Sequence, residues 1–248
     1  MIITVISLFP EVFTEFLGAS IIGRAAKEGL VEFRIVQLRD YAEDRHRTCD
    51  DYPFGGGPGM VLKPEPLGRA LDAVGAGDGK RVVCTTPAGR RFDQAYAAAL
   101  SAEPEMIIIC GHYEGIDQRI IDAYVTDEIS IGDYVLSGGE SAAMVLIDSI
   151  VRLKNGAINP ASLDWESFER GLLEYPQYTR PREYRGRTVP EVLIGGNHEQ
   201  IRRWRLKQSV EKTVRMRPDL VPILKHDHDI VKILQERKEQ TNESDTSN

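Results

Sequence analysis

Cysteine is scarce in this chain. The three present, Cys49, Cys84 and Cys110, lie far apart and form no Cys-x-x-Cys pair, which excludes a disulfide framework and a thiolate zinc site and fits a reducing compartment. Long apolar runs are missing too. Ile2-Ile3-Thr4-Val5-Ile6-Ser7-Leu8-Phe9 is stopped by Pro10-Glu11 and no basic segment precedes it, so it falls short of the roughly 20 residues of a membrane span and lacks the layout of a signal peptide. It reads as a buried strand, in a cytoplasmic protein with no membrane partner. Positive charge is also in deficit. With 31 Lys and Arg against 38 Asp and Glu, the net charge is -7, so any polyanion must meet a local basic patch.

What is present is the composition of a folded globular chain, 42% hydrophobic, 28% charged and 7% aromatic over 248 residues, enough for a main domain and a small appendage. After the first strand, Val12, Phe13, Phe16, Leu17, Ile21 and Ala25 recur at helical spacing until Gly29, and a second strand spans Val31 to Leu38. Apolar rather than alternating strands predict an α/β fold with a parallel sheet covered on both faces. A polar, glycine-dense loop runs from Asp40 to Met60, long enough to suggest a functional reason. A helix follows from Pro64, a strand from Arg81 to Thr85 that Thr86-Pro87-Ala88-Gly89 ends, a helix over Asp93 to Leu100, a strand from Glu105 to Cys110, a helix with Ile116, Ile120 and Ile121, a strand near Tyr124 to Ser130, and a helix from Glu140 to about Leu153. The organisation is thus a domain over residues 1–155, a linker over 156–190, a helical domain over 191–242 and a disordered tail over 243–248.

Three loops follow the carboxyl ends of predicted strands: Thr85 to Gly89, Gly111 to Gly115, and Ser130 to Gly139. In open parallel sheets ligands bind on this side, and glycine lets backbone approach a ligand closely. A plain chain-turning role is the alternative for any one loop; three together favour a small polar ligand. Gly55-Gly56-Gly57-Pro58-Gly59-Met60 lacks a P-loop lysine, Leu136-Ser137-Gly138-Gly139 is not a hydrolase elbow, and His198-Glu199 has no second histidine for a zincin. His226-Asp227-His228-Asp229 reads as a solvated surface run, so no metal site is assigned.

Between Glu199 and Arg217 the local charge reverses, with Arg202, Arg203, Arg205, Lys207, Lys212, Arg215 and Arg217 against Glu199 and Glu211. A helix with one packed face and one face toward phosphate fits this run, and a solvated helix balancing acidic neighbours is the alternative. Arg45, His46 and Arg47 form a second basic cluster in the long loop.

Taken in order, the blocks Ile6-Ser7-Leu8-Phe9-Pro10, Asp44-Arg45-His46-Arg47-Thr48, Gly55 to Met60, Cys110-Gly111-His112-Tyr113-Glu114-Gly115-Ile116-Asp117, Ser130 to Glu140, Gly171-Leu172-Leu173-Glu174-Tyr175-Pro176-Gln177-Tyr178-Thr179-Arg180-Pro181 and Arg202-Arg203-Trp204-Arg205-Leu206-Lys207-Gln208-Ser209 closely resemble the bacterial tRNA (guanine-N1)-methyltransferase family, TrmD. The resemblance implies a SPOUT-type α/β domain whose cofactor site is a deep trefoil knot, a small C-terminal helical domain, and an obligate homodimer with active sites at the subunit interface. The implied activity is methylation of N1 of guanosine-37 in tRNA, 3′ to the anticodon, from S-adenosylmethionine. By residue match the cofactor is held by Thr85, Thr86, Pro87, Gly111, Tyr113, Glu114, Ser130, Ile131, Gly132, Tyr134, Leu136, Gly138 and Gly139. Cys84 stands where the family often has an aromatic residue, which leaves that adenosine contact open. Arg45, His46, Arg47, Gly59, Arg202, Arg203, Arg205 and Lys207 form the RNA-facing set.

N1 of guanine carries a proton and becomes a good nucleophile only as that proton leaves, so the reaction needs a general base. The family places an aspartate of an Asp-Ser-Phe motif in this role. The aligned residues here are Glu166-Ser167-Phe168, which assigns the base to Glu166, with Asp164 as the alternative if the register slips. Arg152 matches a family arginine placed to meet O6 of the guanine. Family members use Mg²⁺, which the resemblance alone supplies. A related knotted methyltransferase acting on another RNA, and a non-catalytic RNA-binding protein, are the rival readings; the first need not carry the Gly-Leu-Leu-Glu-Tyr-Pro block or the basic helix, and the second leaves the strand-end loops unexplained.

Overall fold

A computed structural model gives the fold and describes residues 1–77, 79–159, 166–168 and 171–245. The chain divides into two compact units, Met1–Asn159 and Pro160–Asn248. In the first, strands β1 (Ile2–Ser7), β2 (Glu32–Gln37), β5 (Arg81–Arg91), β6 (Glu105–Cys110) and β7 (Asp127–Ser130) form a five-stranded sheet in the order β2-β1-β6-β5-β7, with every pairing parallel. Two short strands, β3 (Asp50–Asp51) and β4 (Val61–Leu62), pair antiparallel and close the ends of the long loop onto each other.

Alternation along the strands explains why they carry uninterrupted apolar runs. Met106, Ile108 and Cys110 of β6 join one core cluster, while Ile107 and Ile109 join another, because successive side chains leave opposite faces of a strand. The first cluster takes in Ala25 of α2 (Ser20–Lys27), Leu100 of α4 (Gln94–Ser101) and Leu146, Ile147 and Ile150 of α6 (Glu140–Val151). The second takes in Leu67 and Leu71 of α3 (Pro64–Ala73) and Ile120 of α5 (Gln118–Tyr124). Each such buried Leu or Ile contributes roughly 1.5–3 kcal/mol relative to exposure, so two covered faces make the carboxyl ends of the central strands a rigid base for loops.

The structure departs from the sequence reading at three places. The helix expected from Val12 to Ala25 is broken into a 3-10 turn (Pro10–Phe13), α1 (Thr14–Gly18) and α2, with Ala19 extended between them; Gly23 packs so closely on the Gly18 carbonyl that a side chain would not fit. The strand expected to stop at Thr85 continues to Arg91. Ile129 pairs with both Thr85 and Arg90, so residues 86–89 form an irregularity within β5 rather than its end, as bulges near functional sites often do. In the second unit the final helix runs to Asp245, past the start of the expected tail at 243, since no Gly or Pro interrupts it; the last three residues lie outside the described ones.

That unit is built on α7 (His198–Met216) and α8 (His228–Asp245). Leu206 and Val210 of α7 pack with Leu172, Leu224, Ile230 and Ile233. Asn197 caps α7 by accepting from the Gln200 amide at 3.1 Å. Asp227, from the His-Asp-His-Asp run, accepts from the amides of Asp229 and Ile230, so it starts α8. The stretch read as linker contains a hairpin of β8 (Glu183–Tyr184) and β9 (Arg187–Thr188). No helix among the described residues is long and apolar enough to cross a membrane.

Candidate active site

At the carboxyl ends of β5, β6 and β7 the three loops are tied together by backbone. The Gly139 amide donates to the Gly111 carbonyl at 2.7 Å, His112 and Gly138 form an antiparallel bridge, and the Thr85 hydroxyl lies 3.2 Å from the Ile109 carbonyl and 3.4 Å from that of Gly139. The second loop is tied in turn to the long loop, with the Glu114 amide donating to the Met60 carbonyl and the Leu62 amide to that of Gly115. These ties enclose a cavity of about 490 Å³ lined by residues including Thr85, Thr86, Pro87, Gly111, Tyr113, Glu114, Leu136, Gly138 and Gly139. A second hollow of about 40 Å³, sharing Thr85 and Gly139, is lined by Ser130, Ile131, Gly132 and Tyr134. Each residue that the resemblance gives to the cofactor lines one or the other. Gly59 of the long loop has φ +82°, and a Cβ there would strike the Glu114 side chain.

Cys84 also lines the larger cavity. Burial, with the Glu128 carboxylate adding to it, pushes its thiol up to about 12, and burial raises Cys110 as well. A thiol so placed stays neutral across physiological pH and offers the cavity a small apolar wall. At pH 8 the Cys84 thiol is held protonated by its burial, so alkylation by iodoacetamide is expected to be far slower in the folded protein than after denaturation. Mass spectrometry of the labelled peptide measures this, and equal rates would contradict the burial.

A part-buried polar cluster at the edge of the cavity did not stand out in the sequence. Ser7 at the end of β1 donates to Glu140 Oε1 at 2.7 Å and itself accepts from the Phe9 amide at 2.8 Å. Glu140 Oε2 lies 3.9 Å from His112 Nδ1, which is buried and has no hydrogen-bond partner among the described residues. The His112 ring rests against Phe9 at 5.1 Å and edge-on to Tyr113 at 4.8 Å. Tyr113, in turn, adopts φ +57°, a conformation that costs a non-glycine residue on the order of 1 kcal/mol or more. Glu140 and His112 thus hold the second and third loops against the first strand.

Arg152 caps the end of α6, its amide donating to Asp148. Glu166 is half-buried in the second unit. The next two residues are pinned there: Ser167 Oγ accepts from the Glu174 amide at 3.0 Å, and the Phe168 amide donates to Leu172, itself a core residue. Leu173 and Glu174 are fastened to α7 through Thr213 Oγ1 and Lys212 Nζ. Asp164 lies outside the described residues. Among the described residues no group of three or more His, Cys, Asp or Glu stands together as a metal site.

The basic residues fall into different settings. Arg45, His46 and Arg47 are exposed on a turn built around Asp44, which accepts from the amides of His46 and Thr48; the Thr48 amide, first among these, holds the Asp44 carboxyl below its ordinary value. Arg47 pairs with Asp40 at 2.9 Å. On α7, Arg202 meets Glu199 and Asp229, Arg203 meets Glu236, and Lys207 meets Glu211. Arg205 stacks on Tyr175 at 4.8 Å.

Known proteins match this chain over most of its length. The family model described as tRNA (Guanine-1)-methyltransferase TrmD matches residues 1–223. A tRNA (guanine-N(1)-)-methyltransferase of Treponema denticola is 54% identical over 217 residues, covering 88% of this chain and 89% of its own. One from Caldicellulosiruptor saccharolyticus is 53% identical over 221 residues, 89% and 90% of the two chains. One from Brevibacillus brevis is 50% identical over 241 residues, 97% and 99% of the two chains. With its parallel sheet and the strand-end loops tied around one cavity, the chain belongs to the tRNA (guanine-1)-methyltransferase TrmD family.

Proposed function

We propose that the chain transfers a methyl group from S-adenosylmethionine to N1 of guanosine-37 in tRNA. The observation that carries this reading is that three loops at the carboxyl ends of parallel strands, in a chain of this family, line a common cavity. Its volume of about 490 Å³ falls within the roughly 300–1,000 Å³ of small-molecule sites. Gly138 and Gly139 line it, and a Cβ at either would strike neighbouring protein atoms, so both positions keep a bare backbone beside a bound nucleoside. The bound cofactor supplies an electrophilic methyl group on a sulfonium.

The chain's own residues must then remove a proton and stabilise charge. Glu166 takes the N1 proton, a role that contributes typically about 10²–10⁴-fold, with Asp164 as the alternative base. Arg152, always protonated, donates to O6, where negative charge develops as N1–H ionises. The finer architecture of this reading is a trefoil knot at the cofactor loops, a small C-terminal helical domain that holds tRNA, and a cytoplasmic homodimer whose active sites draw on both subunits. Val12 and Val145, each 44% exposed on elements that pack together, supply apolar surface suited to such a partner.

Incubating the purified protein with radiolabelled adenosylmethionine and tRNA transcripts carrying G or A at position 37, with and without Mg²⁺, tests the proposal. Label is expected in the G37 transcript alone. Transfer to neither transcript would remove the activity, and equal transfer to both would remove the site.

A further inference from the structure

The residues read as an interdomain linker carry the densest unpaired positive charge in the second unit. Arg180, Arg182, Arg185 and Arg187 are all exposed, and among the described residues none has a carboxylate partner. Glu183 is the sole acid among residues 178–188. The hairpin sorts these charges by side. Tyr184 pairs with Arg187 and Glu183 with Thr188, while the Val189 amide donates to the Arg182 carbonyl at 2.9 Å and extends the ladder by a step. Directly opposed residues share a face and neighbours along a strand alternate. Arg182, Tyr184 and Arg187 therefore stand on one face, and Glu183 and Thr188 on the other.

The turn places a further charge at the tip. Arg185 and Gly186 both have positive φ, +52° and +74°, which is the two-residue turn whose twist matches a hairpin. The Arg185 guanidinium lies 5.2 Å from the centre of the Tyr184 ring, and that ring is 62% exposed. An exposed aromatic ring among unpaired guanidinium groups matches the chemistry of an unstacked base with its flanking phosphates.

We propose that the Arg182–Arg187 hairpin is an RNA-binding surface that grips the phosphates of a tRNA loop through Arg182, Arg185 and Arg187 and stacks one unpaired base on Tyr184. The proposal rests on the tRNA-modifying function put forward above and gives it a contact surface that the basic helix alone does not supply. On α7, Arg202 and Arg203 share a groove with Glu199, Asp229 and Glu236. Those carboxylates offset the positive charge and would repel a phosphate. On the hairpin no acid stands on the arginine face, so each phosphate contact forms without first breaking an ion pair.

Fluorescence anisotropy with a labelled tRNA transcript, titrated across salt concentrations, tests this. The variant R182Q/R185Q/R187Q is expected to bind tRNA at least about tenfold more weakly at 0.1 M salt. Its plot of log Kd against log salt should be shallower by about 2, since each lost phosphate contact removes roughly 0.7 from the slope. The corresponding triple lysine variant should restore the slope, because a phosphate is met there as charge. Tyr184→Ala should weaken binding about fivefold or more at an unchanged slope. All four side chains are exposed, so adenosylmethionine affinity and melting temperature should match the unaltered protein. Arg185→Gln, at the turn tip, reads the same effect singly, with a slope change of about 0.7. Unaltered affinity and slope in the triple glutamine variant would overturn the hairpin proposal while leaving the methyltransferase reading intact. If the unaltered protein neither binds nor methylates tRNA, the functional reading itself falls, and the hairpin with it.

Discussion

Replacing Glu166 by glutamine is expected to lower the single-turnover rate of methyl transfer to tRNA by about 10²- to 10⁴-fold, the range a positioned general base contributes. The amide keeps the size and hydrogen-bonding reach of the side chain but cannot accept the N1 proton, so the loss isolates proton transfer from packing. Glu166 adjoins a segment fastened at Ser167, Phe168, Leu173 and Glu174, so its backbone is held by its neighbours, and glutamine can keep a hydrogen bond of the side chain. Melting temperature and tRNA affinity should therefore stay near those of the unaltered protein. The cavity residues all lie between Cys84 and Ala142, so adenosylmethionine affinity measured by calorimetry should be unchanged as well. Glu166→Asp retains the carboxylate one methylene shorter and should keep an intermediate rate. A glutamine variant with full single-turnover activity would strip Glu166 of the role and turn attention to Asp164.

How much of this was legible in sequence depended on how local each feature is. The strand-end loops could be read because apolar runs mark parallel strands and glycine-rich segments directly follow them. Thr86-Pro87-Ala88-Gly89 was misread as the end of a strand because proline lacks an amide donor; Ile129 instead pairs on both sides of the irregularity, a tertiary arrangement with no local sequence signal. The Ser7–Glu140 bond joins residues 133 apart, and only the sheet order brings them together. The basic stretch on α7 was visible as charge, but its partners Asp229 and Glu236 come from α8, which a reading along one helix cannot supply. The hairpin at 183–188 escaped notice because both faces are exposed, so the apolar-polar alternation that marks a strand is absent. Its turn residues, Arg185-Gly186, were the one available signal.

Gly139→Ala is expected to weaken adenosylmethionine binding by roughly 5- to 150-fold, the equivalent of about 1–3 kcal/mol of overpacking. The glycine is not required for conformational freedom, since its φ is -79°, open to any residue. What requires it is space. A Cβ at this position would collide with the Thr85 hydroxyl and come within 2.7 Å of the Gly111 amide nitrogen and 2.9 Å of Cys110 Cα. Two of those three neighbours are backbone at the end of β6, held by the sheet, so they cannot swing aside as a flexible side chain would. The loop that opens α6 must retreat instead, stretching the 2.7 Å bond from the Gly139 amide to Gly111 and parting two walls of the cavity. Gly68→Ala is the matching control. It lies within α3, where a new Cβ meets only Ile120 Cδ1 at 3.5 Å, so alanine should be neutral or raise stability by a few tenths of a kcal/mol through helix propensity. Calorimetric titration of both variants with adenosylmethionine separates the cases. If Gly139→Ala binds as tightly as Gly68→Ala, the contact between the first and third loops is not what shapes the cofactor site.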